Sequence, residues 1–131
     1  MNIVLDTNIW VSYFMAAKHV DLVKIIYNNN LNVYTNSTLI AELENVLNRP
    51  KIKKYLKTPV SELVTFHREL CIFHKTKAAY KNSPDPKDNF LFDLATQTRS
   101  QYVVTGDKTM LAQKPAGFNF ISKTKFENLL K

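Results

Sequence analysis

Cysteine is almost missing from this chain: of 131 residues, Cys71 alone is one. A single thiol excludes an internal disulfide and any cysteine-based metal cage, and such a residue more often serves as a small buried hydrophobe. Glycine is nearly as scarce. Gly106 and Gly117 are the only two, too few for a phosphate-cradling loop or a dinucleotide fingerprint. No apolar run approaches the roughly 18 residues that a membrane helix needs, so no membrane partner is expected. The start, Asn2-Ile3-Val4-Leu5, has no basic n-region and no small-residue cleavage site, so no secretory signal is read and the expected compartment is cytoplasmic. Repeats, low-complexity segments and linkers are absent too, and a chain of this length is expected to form one domain over residues 1–131.

Acidic residues are the next shortage. Eleven Asp and Glu stand against 18 Lys and Arg, a formal charge of +7. Arg49, Lys51, Lys53, Lys54 and Lys57 form one basic cluster, and Lys75, Lys77, Lys81 and Lys87 a looser second one. Such an excess suits a polyanion, because each phosphate contact releases counterions. A solvated lysine-rich surface explains the charge equally well, so charge alone raises nucleic-acid binding without deciding it.

What is present is an alternation of short apolar runs with amphipathic stretches. Residues 2–5 read as a buried strand that ends at Asp6-Thr7-Asn8, followed by helices over about 8–16 and 20–28. Residues 31–35 alternate as a strand, and Asn36 or Ser37 caps the next helix. Pro50 and Pro59 suit first helical turns, which predicts helices over 50–57 and 59–70. A short strand at 71–73, a turn at 83–86, a helix over 86–99 and a strand at 102–104 follow. A helix at 108–113, a strand at 118–121 and a helix over 123–130 close the chain. This is the pattern of an α/β fold with a parallel sheet of about five short strands between helices.

Few as they are, the acids fall at telling places. Asp6 ends the first strand, and Asp107 follows Val103-Val104-Thr105-Gly106. In open α/β sheets, ligands bind beyond the carboxyl ends of the strands, so neighbouring strands would put both carboxylates on one edge. Each could instead be only a helix cap. Asp88 lies at the N-terminal end of a buried stripe, three, four and seven residues before Leu91, Phe92 and Ala95. An acid there must be paired, protonated or bound to a cation. In the helix of Leu39, Ile40, Leu43, Val46 and Leu47, Glu42 and Glu44 flank the apolar stripe on opposite borders, and periodicity leaves the choice open. Asp93 lies round its helix and is expected at the surface, with a supporting role as the alternative. Crowded carboxylates resist ionisation unless a cation neutralises them, and hard oxygen donors select Mg²⁺ or Mn²⁺. Such a site in a basic protein suits phosphodiester hydrolysis.

Four segments, in order, resemble a known family. These are Ile3-Val4-Leu5-Asp6-Thr7-Asn8, the Glu42-Leu43 helix running to Arg49-Pro50, Asp85-Pro86-Lys87-Asp88-Asn89-Phe90-Leu91, and Val104-Thr105-Gly106-Asp107. Together they resemble the PIN-domain ribonucleases, in particular the VapC-like toxin components of toxin–antitoxin systems. The resemblance implies a three-layer α/β/α fold and an Mg²⁺- or Mn²⁺-dependent endoribonuclease that cuts single-stranded RNA. It implies catalytic, metal-binding roles for Asp6, Glu42, Asp88 and Asp107, so choosing Glu42 over Glu44, with Asn8 and Thr105 as supporting polar groups. It also implies a homodimer and a cognate antitoxin protein. Asp85 fits the motif, though capping before Pro86 explains it. Lys51, Lys53, Lys54, Lys87 and Lys108 are the expected substrate phosphate-binding residues.

Rival readings fare less well. A haloacid-dehalogenase phosphatase needs a second aspartate where Asn8 stands, and a response-regulator receiver needs one after its third strand, where residues 70–76 hold no acid. A PIN-like nucleic-acid-binding domain with little or no nuclease activity, or a DNA-directed nuclease, remains the alternative. His19, His67 and His74 are not spaced as ligands and are expected to be structural, on the surface or partly buried. Phe90, Leu91, Phe92 and Leu94 are expected to pack in the core.

Overall fold

The computed structural model describes residues 1–130. Strands β1 (Asn2–Leu5), β2 (Asn32–Thr35), β3 (Ile72–Phe73), β4 (Tyr102–Val104) and β5 (Phe120–Ile121) form one parallel sheet in the order β3-β2-β1-β4-β5. The apolar run of β1 puts it at the centre. Ile3, Val4 and Leu5 have no exposed surface, as befits a parallel strand covered on both faces. Helices flank the sheet: α1 (Thr7–Met15), α2 (His19–Asn28), α3 (Ser37–Leu47), α4 (Pro50–Lys53), α5 (Val60–Leu70), α6 (Asn89–Gln97), α7 (Lys108–Gln113) and α8 (Lys123–Leu129). None of them is long and apolar enough to cross a membrane.

From β1 the chain builds outward through β2 to β3, then returns to the opposite side for β4 and β5. The reversal makes the gap between β1 and β4 a topological switch point, where open α/β sheets place ligands. Backbone bonds prolong this seam beyond the strands proper. Asp6 N–H donates to Val104 O at 2.8 Å, and Thr105 N–H to Ile121 O at 3.0 Å.

Three elements are shorter than their sequence patterns predict. Helix α4 stops at Lys53 rather than residue 57: the repelling lysines give it little internal support, and Pro59 disfavours a helical Thr58. The turn Pro86–Asp88 is a 3-10 helix before α6, whose last residue is Gln97 rather than 99. Strand β5, at the sheet edge, pairs only at Phe120 and Ile121.

One histidine is wholly internal. His67 on α5 has no exposed surface, against the expected surface or partly buried placement. Its ring packs edge-on to Trp10 at 4.3 Å, and its Nε2 shares a hydrogen bond with the Thr35 hydroxyl at 2.8 Å. Burial, and then the Arg68 charge, lower its pKa from 6.5 to about 4. The unfolded chain therefore takes up a proton near pH 6.5 that the fold refuses until pH 4, and stability falls as pH drops through that window. The loss by pH 4 amounts to roughly 3 kcal/mol. Urea unfolding from pH 7 to pH 4 is expected to show this decline in the native protein and a flatter profile in His67→Leu. Parallel profiles would assign the decline to other groups.

Candidate active site

Four carboxylates reach the carboxyl edge of the sheet from four directions. Asp6 follows β1 and starts α1, with an extended backbone and its Oδ1 accepting Thr7 N–H at 2.7 Å. Asp107 does the same for α7, its Oδ1 accepting from Thr109 and Met110 N–H at 2.8 and 3.2 Å. Each aspartate is thus a cap, which turns its carboxylate toward the helix start at the sheet edge. For Asp107 the second oxygen makes no hydrogen bond among the described residues. Glu42 arrives from the middle of α3, half-buried, whereas Glu44 is exposed and borders a separate cleft with Asn48 and Ser61. Asp88 stands between the 3-10 turn and α6, with no side-chain capping bond.

Two threonines tie these acids together. The Thr105 hydroxyl, fully buried, donates to Asp6 Oδ2 at 2.8 Å and accepts Asp107 N–H at 3.0 Å. The Thr7 hydroxyl donates to Glu42 Oε2 at 2.7 Å. Sequence reasoning missed Thr7, taking it as the middle of Asp-Thr-Asn, because its partner lies 35 residues away. Asn8, by contrast, is exposed, and its side chain bonds to none of the described residues.

The acids act on one another. Burial raises the pKa of Asp6; the Thr105 and Thr7 bonds lower it, and the Glu42 and Asp107 charges raise it again, for a net upward shift. Asp88 is pushed up to about 6, first by desolvation and then by the charges of Asp6, Asp85, Asp107 and Glu42. The charges that raise it are all carboxylates. Among the described residues no three of these side chains are drawn together as a finished metal cage. The donor set nevertheless fits a hard divalent cation: it is all carboxylate oxygen, partly desolvated, and short of positive charge.

The lysines expected to bind phosphate are all exposed. Lys87 and Lys108 are exposed neighbours of Asp88 and Asp107. Lys51, Lys53 and Lys54 are exposed beyond the end of α3; Lys53 borders the Glu44 cleft, and Lys54 sits 5.1 Å over the Tyr55 ring. Asp93 is a correction. It is 5% exposed, not on the surface, and accepts Tyr80 N–H at 2.8 Å and Ala79 N–H at 3.1 Å, because the connection 74–85 folds across α6.

Parallel strands between helix layers, with acids gathered at the switch point, define a PIN-like α/β/α protein. The chain belongs to the PIN-domain family, whose model matches residues 2–109; PIN domains are generally nucleases and typically use divalent metal ions. Its fold is similar to that of a chain in the crystal structure of VapBC2 from Rickettsia felis bound to a DNA fragment from their promoter. The TM-score is 0.62 at 12% identity, over 93% of this chain and 98% of that one. No curated protein matches the sequence.

Because Asp88 is harder to ionise in the fold than in the unfolded chain, its charge costs stability at neutral pH, a cost that fades as pH falls from 6 toward 4. Asp88→Asn is expected to stabilise the metal-free protein at pH 7.5 by about 1 kcal/mol, after allowance for solvent screening. Denaturant titrations in EDTA at pH 7.5 and pH 4 check this, with the gain confined to the higher pH. A variant less stable at pH 7.5 would show that the carboxylate contributes a favourable contact.

Proposed function

We propose that this protein is an Mg²⁺- or Mn²⁺-dependent endoribonuclease that hydrolyses single-stranded RNA, and that it acts as the toxin of a toxin–antitoxin pair. The observation that carries the reading is the grouping of Asp6, Glu42, Asp88 and Asp107 at the β1–β4 switch point, where burial and then the neighbouring carboxylate charges raise the pKa of Asp6 and Asp88. In this reading the four acids are the metal ligands. A bound divalent cation would supply a polarised phosphate and a water of lowered pKa. The chain's own part is to hold the oxygens still. Asp6 is fixed by its bonds to Thr7 and Thr105, Glu42 by its bond to Thr7, and Asp107 by its cap.

The positive surface supports a polyanionic substrate. Lys87 and Lys108 flank the acids and would hold the phosphates beside the cut, while Lys51, Lys53 and Lys54 would take the strand farther out. The protein of similar fold occurs in a two-component complex on promoter DNA, which supports an antitoxin partner here. A homodimer belongs to the same reading.

Incubation with a panel of single-stranded RNAs and Mg²⁺ or Mn²⁺ is expected to yield defined fragments. EDTA, Asp6→Asn and Asp107→Asn should each abolish them. Thr7→Val, which releases Glu42, should lower the rate roughly tenfold, the size of a positioning effect. Equal activity in the native protein and both aspartate variants would remove these acids from the reaction. Cleavage of DNA and not RNA would move the protein to the DNA-directed nucleases.

A further inference from the structure

A cavity of about 290 Å³ opens beside the acids, on the Glu42 and Asp88 side, and none of the four lines it. It shares two walls with them. Thr38 lies one helical turn before Glu42 on the same face of α3, and Asn89 directly follows Asp88. Phe90 and Tyr80 supply aromatic surface, and Lys81 stands at its edge. Phe90 packs against the core as expected, but it is only partly buried and also lines the cavity.

The far wall is built in advance. Asp93 holds the backbone at Ala79 and Tyr80. Gln97 accepts Lys77 N–H at 3.0 Å and donates to Lys77 O at 2.7 Å. Tyr80 stacks on Phe92 at 4.4 Å with only 2° between the planes. Polar groups remain for a ligand. Asn89 uses its oxygen to accept from Ser83, which leaves its amide N–H₂ without a partner among the described residues. The Thr38 hydroxyl is likewise without one.

We propose that this cavity is a nucleoside subsite, taking the base of the nucleotide next to the bond that is cut. Its physiological ligand rests on the nuclease reading above. Flat apolar walls with amide and hydroxyl groups at the rim suit a base turned out of a single strand, stacked on its face and bonded along its edge. The buried Asp93 carboxylate in the lining and the acids next door disfavour a phosphate in the same space. The volume is at the low end for small-molecule sites, roughly 300 Å³, enough for one nucleoside and too small for a folded segment of chain.

The test needs no catalysis. The ¹⁵N-labelled protein in EDTA is titrated with adenosine, cytidine, guanosine or uridine, and with ribose as the base-free control. At least one nucleoside is expected to shift the amides of Thr38, Ala79, Asn89 and Phe90, and ribose is not. Thr38→Phe, which fills the cavity from an exposed position, should weaken that binding roughly tenfold, within the range that base stacking contributes. It should also change which base flanks the mapped cleavage sites. Ribose shifting the same amides, nucleosides shifting others or none, or Thr38→Phe binding as the native protein does would each overturn the subsite. Nucleoside shifts at these residues in a protein that cuts no RNA would keep the subsite and remove the nuclease reading. RNA cleavage with an indifferent cavity would do the reverse.

Discussion

The hydrogen bond from the Thr105 hydroxyl to Asp6 Oδ2, 2.8 Å long and wholly buried, is the constraint on which the carboxyl edge depends. Asp6 ends the central strand, where burial raises the cost of its charge. Two donors offset part of that cost, and both come from residues whose own backbones are fixed. Thr105 is held to β5 through its N–H, and its hydroxyl also accepts from Asp107. One side chain therefore sets the spacing between the acids of β1 and β4. Without it the switch point would remain, but its two aspartates would have no common reference.

The same edge shows stability and site geometry pulling in opposite directions. The core beneath it is well sealed, with Trp10, Tyr13, Phe92 and Phe126 almost free of solvent. Above it stand carboxylates, and burial together with neighbouring negative charge disfavours the ionised forms of Asp6 and Asp88. Such a cluster persists only because the surrounding structure over-determines it. Folds tolerate local conflict of this kind where a ligand is to supply the missing interaction.

Much of this was legible in the residue order. Ile3-Val4-Leu5 reads as a doubly covered strand, and so it is. The caps at Asp6, Asn36 and Asp107 follow from short polar side chains placed just before apolar periodicity. Errors came where a distant segment intervenes. Asp93 sits off the apolar stripe of α6, so periodicity assigns it to solvent; the connection 74–85 then lies over it and buries it. Phe90 packs against the core as its apolar run implies, and only the same connection makes it also line a cavity. Thr7 has a role only because α3 brings Glu42 alongside.

The sequence by itself determined the kinds of element, their caps and the chemical character of the acids. Those properties depend on neighbours within a few positions and on ionisation, both of which are written in local order. Only the tertiary structure decided that β1 and β4 are adjacent, that the Thr7 hydroxyl holds Glu42, and that a preformed cavity opens beside Thr38 and Asn89. These outcomes turn on strand order and on packing between segments far apart in the chain. Asp6 and Thr105 are 99 positions apart, and no local spacing encodes a distance that the sheet alone closes.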